Sequence, residues 1–272
     1  MATSALTPPP PRALLLMYHS IGEVCPPGGE RFAVSAAAFL DQLRLLDRLR
    51  RSGAITVVDL GAWWRGSASA GPAPVALCFD DGWGSDWEQA LPRLQEFGFT
   101  ATFFLSTALV GQPGYLEWPQ VRALAEAGMN IACHGHEHVP LCRVPPARLQ
   151  AQLHRARQTL QAWSGAPVPF LAAPFGLWNR RVLEAALGAG FRALATSRPG
   201  RAAAGAPCLP RNAVYRATPA RQLQTWLEGR PGSLAVRLGR HGILWLPKYI
   251  RLRIQPKWLP AAPPAVASRS LY

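Results

Sequence analysis

Val75-Ala76-Leu77-Cys78-Phe79-Asp80-Asp81-Gly82 is a short apolar run that ends on two adjacent carboxylates and a glycine. The run reads as a buried strand, too short for a helix of ordinary length. An Asp-Gly turn needs no further explanation, but a buried pair of carboxylates costs heavily unless a cation or a shared proton compensates it. Outward from this stretch the chain alternates between two periods. Residues 13–18 read as a strand, and Ser35 as the N-cap of a helix that runs to about Arg51, with Phe39, Leu43, Leu46 and Leu49 on one face. A β-branched strand is expected at 55–58, then a Gly/Ser/Ala/Pro linker at 66–74. After the opening stretch come a helix at 86–97, a strand at 100–105, a helix at 118–127 and a strand at 130–133. The pattern continues with a helix at 146–163, strand 170–173, helix 180–187, strand 191–195, strand 209–215 and helix 219–227. Short apolar strands between amphipathic helices predict an α/β fold with a parallel sheet and its helices outside. Seven or eight such units in roughly 215 residues predict an irregular (β/α) barrel of about seven strands. In that architecture functional side chains belong at the C-terminal ends of strands.

A second strand end meets this expectation. Ile131-Ala132-Cys133-His134-Gly135-His136-Glu137-His138 places three histidines in five residues beyond a strand. Neutral imidazole is the commonest metal ligand among side chains, and Gly135 makes an inward bend of the loop easy. A His-Glu-x-x-His zinc helix starting at His136 is excluded, because residue 140 is proline. Asp plus two His at one barrel mouth gives three protein ligands with open positions for water and substrate, the usual form of a catalytic zinc site. The second Asp is then available as general base. His136 is either a bystander or, if the loop folds differently, a ligand.

These motifs resemble those of the polysaccharide deacetylase family, the fourth carbohydrate-esterase family. That family carries T-F-D-D-G, H-S/T-x-x-H and R-x-P-Y on a distorted β/α barrel. Residues 78–82 match the first with Cys for Thr, and residues 134–138 match the second with Gly for Ser/Thr. Ala172-Ala173-Pro174-Phe175-Gly176 matches the third in part. Leu16-Met17-Tyr18-His19-Ser20-Ile21 resembles the branch that includes poly-N-acetylglucosamine deacetylases. The resemblance implies a divalent metal, Zn2+ first, held by Asp81, His134 and His138, with Asp80 as general base. It implies the backbone N–H of Phe175 as an oxyanion donor. The acid histidine that family members place late has two candidates, His241 in a basic context and His19 at the end of the first strand. The branch resembled favours His19. The family's arginine, which orients the base, is replaced by Ala172, and Arg211 in Leu209-Pro210-Arg211 is a candidate substitute. Trp83 and Trp118 are candidates for stacking on sugar rings, with core packing as the alternative. The activity implied is removal of an acetyl group from an N-acetylated hexosamine in a glycan or glycolipid. The missing arginine and the unsettled acid leave a decayed glycan- or membrane-surface-binding module as one alternative; a hydrolase of another amide or an ester, using the same site, is a second.

Composition bounds these readings. The chain has 272 residues, 49% hydrophobic and 16% charged, which supports a buried core and excludes a mainly disordered chain. No run approaches the ~18 apolar residues of a membrane span. The N-terminus lacks a basic-then-apolar signal pattern. Five cysteines without C-x-x-C fit free thiols in a reducing compartment, and the expected location is cytoplasmic, at the inner face of the membrane if a lipid-linked sugar is the substrate. The formal charge is +14, carried almost entirely by arginine. The catalytic domain is expected at 13–228, followed by a basic extension at 229–272 with eight Lys/Arg and no Asp/Glu. That extension is amphipathic enough to contact an anionic membrane or to pack on the barrel. Charge without an aromatic-interleaved recognition motif gives no ground for a nucleic-acid partner.

Overall fold

The computed structural model describes residues 11–23, 29–67, 71–230 and 232–239. Its centre is one sheet in which every pairing is parallel. The strands are β1 (Leu14–Tyr18), β2 (Thr56–Val57), β3 (Pro74–Asp81), β4 (Ala101–Leu105) and β5 (Asn130–Cys133), then β6 (Phe170–Ala172), β7 (Ala193–Thr196), β8 (Cys208–Pro210) and β9 (Asn212–Ala213). Their order is β8-β7-β6-β5-β4-β3-β1-β9, with β2 paired to β3 off this path. β8 and β9 are consecutive in the chain and separated only by Arg211. The two ends of the sheet therefore meet at one residue, and a distorted β/α barrel results. The single strand expected at 209–215 is instead split, because β8 pairs with β7 while β9 pairs with β1. No local pattern distinguishes those two neighbours.

Alternation along the strands sorts the core into two compartments. Leu77 and Phe79 face the helices together with Leu14, Leu16, Phe103, Leu105 and Ile131. Ala76 and Cys78 face the barrel axis with Ala132, Ala172, Ala193 and Ala195. So many alanines make the interior narrow, and Phe104, Phe170 and Trp63 fill what remains. Asp80, two residues beyond Cys78, continues the inward-facing set.

The helices α1 (Ala36–Arg51), α4 (Trp118–Glu126), α5 (Pro146–Ser164), α6 (Arg180–Gly188) and α7 (Ala220–Leu227) lie close to their expected places. Ser35 caps α1 as read from the sequence, accepting from the Ala38 N–H. Two elements differ. A short helix α2 (Leu60–Trp64), capped by the Asp59 side chain, precedes the Gly/Ser linker and supplies Trp63 to the barrel interior. The helix expected at 86–97 begins as a π-helical turn over Asp86–Ala90 before becoming α3 (Leu91–Glu96). Helical periodicity carries no information about an i→i+5 bulge, and such bulges concentrate at functional sites.

Candidate metal centre

The mouth of the barrel gathers side chains from strand ends far apart in sequence. β3 is long enough to carry both carboxylates into the sheet: Asp80 pairs with Phe104 and Asp81 with Leu105. Consecutive strand residues face opposite ways, and Asp81 has in addition a φ of +80°. The two acids therefore serve different partners. Asp81 turns toward the loop after β5, where its Oδ1 lies 3.3 Å from His134 Nε2 and 3.0 Å from His138 Nε2. The Gly135 φ of +83° lets that loop double back so that both rings converge. Among the described residues this is the one group of three potential ligand side chains whose donor atoms all lie within 4.8 Å of one another.

The electronic state of the cluster suits a cation. His134 Nδ1 sits 3.0 Å from the carbonyl of Ala172. A carbonyl only accepts, so Nδ1 carries the hydrogen, which leaves Nε2 facing the cluster as the potential ligand atom. Asp81 Oδ1 is buried without a conventional hydrogen-bond donor. Its other oxygen accepts from the Trp83 indole N–H at 3.2 Å. Burial alone pushes the Asp81 pKa up, but the His138 and His134 imidazoles, with His19, hold it well below the usual carboxylate value. Two imidazole nitrogens and an uncommitted carboxylate oxygen form a donor set that fits a divalent ion of the zinc type.

Asp80 has a different environment. Both of its oxygens accept from the Arg211 fork, at 2.6 and 2.8 Å. Arg211 is fully buried, its Nε donates to the Thr196 carbonyl at 3.3 Å, and its guanidinium lies 4.7 Å from the Phe104 ring centroid. Burial raises the Asp80 pKa, and Arg211, His134 and His19 more than offset it, so the carboxylate is held below its ordinary value and stays ionised. Arg211 thus supplies at β8–β9 the guanidinium that Ala172 lacks, and Ala172 contributes its backbone carbonyl to His134 instead.

The remaining sequence candidates fall around this pair of carboxylates. His19 follows β1, lies tilted against Phe32 with ring centroids 4.4 Å apart and acts electrostatically on both Asp80 and Asp81. Phe175 adopts a left-handed turn (φ 62°), and its ring lies 4.8 Å from that of His138. His136 points away from the cluster, with Nδ1 2.7 Å from Thr107 Oγ1, so it is not one of the three converging groups. Trp118 does not join the site either; it stacks on Trp163 at 5.2 Å. Trp83 is 7% exposed and stacks on Tyr115 at 4.5 Å, more a wall and a hydrogen-bond donor than an open platform. His241 lies outside the described residues.

Two features escaped the sequence reading. Three of the four non-glycine residues with positive φ among the described residues, Asp81, His138 and Phe175, sit at this mouth; such strain concentrates where surrounding structure enforces it. Asp86, at the start of the π-helical turn, is fully buried with neither carboxyl oxygen hydrogen-bonded. Burial, followed by repulsion from Asp81 and Asp80, pushes its pKa well above the ordinary carboxylate value. Nothing in Gly84-Ser85-Asp86 signals this, since an Asp opening a helix normally reads as a solvated N-terminal acid.

Comparison with known proteins places this geometry in context. The polysaccharide deacetylase family model matches residues 67–194. The chain is 25% identical over 198 residues to YxkH of Bacillus subtilis, a protein assigned to the polysaccharide deacetylases, covering 72% of this chain and 68% of that one. Among solved structures, the fold matches the Streptococcus pyogenes deacetylase PplD in complex with acetate, with a TM-score of 0.72 at 21% identity over 80% of this chain and 99% of that one. It also matches IcaB from Ammonifex degensii, with a TM-score of 0.68 at 22% identity over 80% and 97% of the two chains.

Proposed function

We propose that the chain, whose residues 67–194 match the polysaccharide deacetylase family model, is a member of that family and a metal-dependent hydrolase removing the acetyl group from an N-acetylated hexosamine in a polysaccharide or lipid-linked glycan. The observation that carries the reading is the convergence of Asp81, His134 and His138 beside an Asp80 held ionised by Arg211. A divalent cation, Zn2+ by its donor set, would be held by those three side chains and would supply Lewis acidity to the acetamide carbonyl and to water.

The chain's own residues do the rest. Asp80 is charged and oriented by two hydrogen bonds from Arg211, leaving lone pairs on both oxygens to take a proton from the attacking water. Its depressed pKa makes it a weak base, and the acidity that a bound cation would lend to water would make up for that. The N–H of Phe175, presented by a left-handed turn beside His138, would donate to the developing oxyanion; a donor of that kind contributes about 3 kcal/mol in other enzymes. His19, which acts electrostatically on both carboxylates, would pass a proton to the leaving amine nitrogen. Phe32 and Phe175 provide apolar walls near the two imidazoles. The absence of the family's arginine at 172, one of two motives for reading the chain as a decayed module beside the unsettled acid, loses its force because Arg211 pairs with Asp80.

The test is acetate release from N-acetylglucosamine oligomers and other N-acetylhexosamine glycans by zinc-loaded protein. Asp80→Asn is expected to retain the metal and lose on the order of 10²–10⁴-fold in kcat. No acetate from any member of the panel would overturn the proposal.

A further inference from the structure

The helical segment 233–239 packs the wrong way round for a helix in water. Its one charged side chain, Arg237, is 8% exposed, while Leu234, Val236 and Leu238 are 44%, 52% and 39% exposed. A surface helix of a soluble domain shows the reverse. The Arg237 guanidinium lies 5.3 Å from the Trp226 ring centroid, and its Nε and Nη1 are buried without hydrogen-bond partners. Arg201 lies close by, donating to the carbonyls of Trp226 and Leu227 at 3.4 and 3.3 Å. Burial and then the proximity of Arg201 bring the Arg237 pKa down to about 10.

Among the described residues neither guanidinium has a carboxylate partner. All 15 Asp and Glu residues lie among the described residues. A groove of about 650 Å3 beside this helix is lined in part by Arg221, Thr225, Trp226, Arg230 and Val236, with no acid among its lining residues. The sequence from 240 onward adds Arg240, Lys248, Arg251, Arg253, Lys257 and Arg269, with Trp245, Tyr249 and Trp258, and no Asp or Glu. Exposed hydrocarbon beside cations that lack an anion is the composition of an interfacial helix on an anionic bilayer.

We propose that segment 233–239 is a membrane-docking element: Leu234, Val236 and Leu238 enter the interfacial layer, and Arg237 with Arg201 takes the phosphate of an anionic lipid headgroup. The Arg237 guanidinium rests over Trp226 with Nε and Nη1 buried, and its long stem allows the head to swing outward to the phosphate level when a headgroup arrives. This goes beyond the deacetylase reading and does not depend on it. Docking of this kind would hold the barrel at the surface of a membrane and suits a lipid-linked glycan.

The experiment is co-sedimentation of the full chain with vesicles of phosphatidylcholine alone and of phosphatidylcholine mixed with phosphatidylglycerol. Binding at least about tenfold stronger to the mixed vesicles is expected. The triple variant Leu234→Ser, Val236→Ser, Leu238→Ser should keep the parent melting temperature and lose about tenfold or more of that binding. Arg237→Ala should weaken binding to the mixed vesicles alone. Equal binding to both vesicles, or no binding to either, overturns the proposal. Full binding by the triple variant also overturns it and assigns the contact to residues 240–272. A melting temperature raised by inorganic phosphate without vesicle binding identifies a soluble-phosphate site and overturns it as well.

Discussion

Arg211 at the barrel mouth and Arg237 on the C-terminal helix are both guanidinium groups withdrawn from water, and their surroundings are opposite. Arg211 finds a carboxylate that matches its fork, an aromatic face and a backbone carbonyl. Arg237 finds an aromatic face and a second arginine. A buried charge is costly until paired, so the mouth is a closed electrostatic unit and the C-terminal helix an open one. The difference separates two uses of burial: at the mouth it fixes a reacting group in place, and on the helix it leaves a site that an external anion completes.

The sharpest way to break this comparison is to remove each arginine in turn. Arg211→Leu strands Asp80 as an uncompensated buried carboxylate, and we expect a loss of about 3–5 kcal/mol by urea denaturation together with loss of acetate release. Arg211→Lys should recover part of the stability, because it keeps the charge, and little of the activity, because a single ammonium cannot hold both oxygens. If Arg211→Leu unfolded no more readily than the parent, the closed unit would be a fiction.

A smaller effect is expected at Asp86, a fully buried carboxyl without a cation beside it. Its folded pKa is raised, so the folded state keeps a proton that the unfolded chain releases at a lower pH. The stability linked to that proton is fully present below the unfolded value of about 3.9 and is lost as pH rises toward the folded value. Asp86→Asn removes this dependence. In chelator-treated protein the variant should therefore melt higher than the parent at neutral pH and no higher at acid pH; scans across that range check the sign. A variant less stable at neutral pH would mean that Asp86 is charged and partnered.

The smallest change is expected for Arg237→Leu. Exchanging an unpartnered buried cation for hydrocarbon is neutral or stabilising in many proteins, so the melting curve should match the parent or shift slightly upward. A loss approaching that of Arg211→Leu would erase the contrast between the two regions.

The barrel and the convergence of Asp81, His134 and His138 were legible for a shared reason. Each strand that matters is a contiguous apolar run, and the candidate residues follow at once, as in Phe79-Asp80-Asp81 and Cys133-His134 through His138. Rare residue types at strand ends need no long-range knowledge to be noticed. Arg211 was readable only as a candidate, since one arginine among many carries no signal until the sheet brings β8 and β9 to opposite neighbours. Helix α2, the π-helical turn at Asp86–Ala90 and the Trp83–Asp81 hydrogen bond were not readable. All three are decided by what packs around them rather than by local preference. The same holds for the inverted helix at 233–239, where sequence shows a basic apolar segment but not which side chains the protein covers.

The strand split at Arg211 also bears on how the molecule is made. A nascent chain that has left the ribosome only as far as β7 already holds Asp81, His134 and His138, yet its sheet has an open seam and Asp80 has no cation to meet. Threading the last few residues of β8 and β9 into that seam seals the cylinder and neutralises the acid in one event. A product truncated before residue 211 would carry Asp81, His134 and His138 and leave Asp80 without its guanidinium.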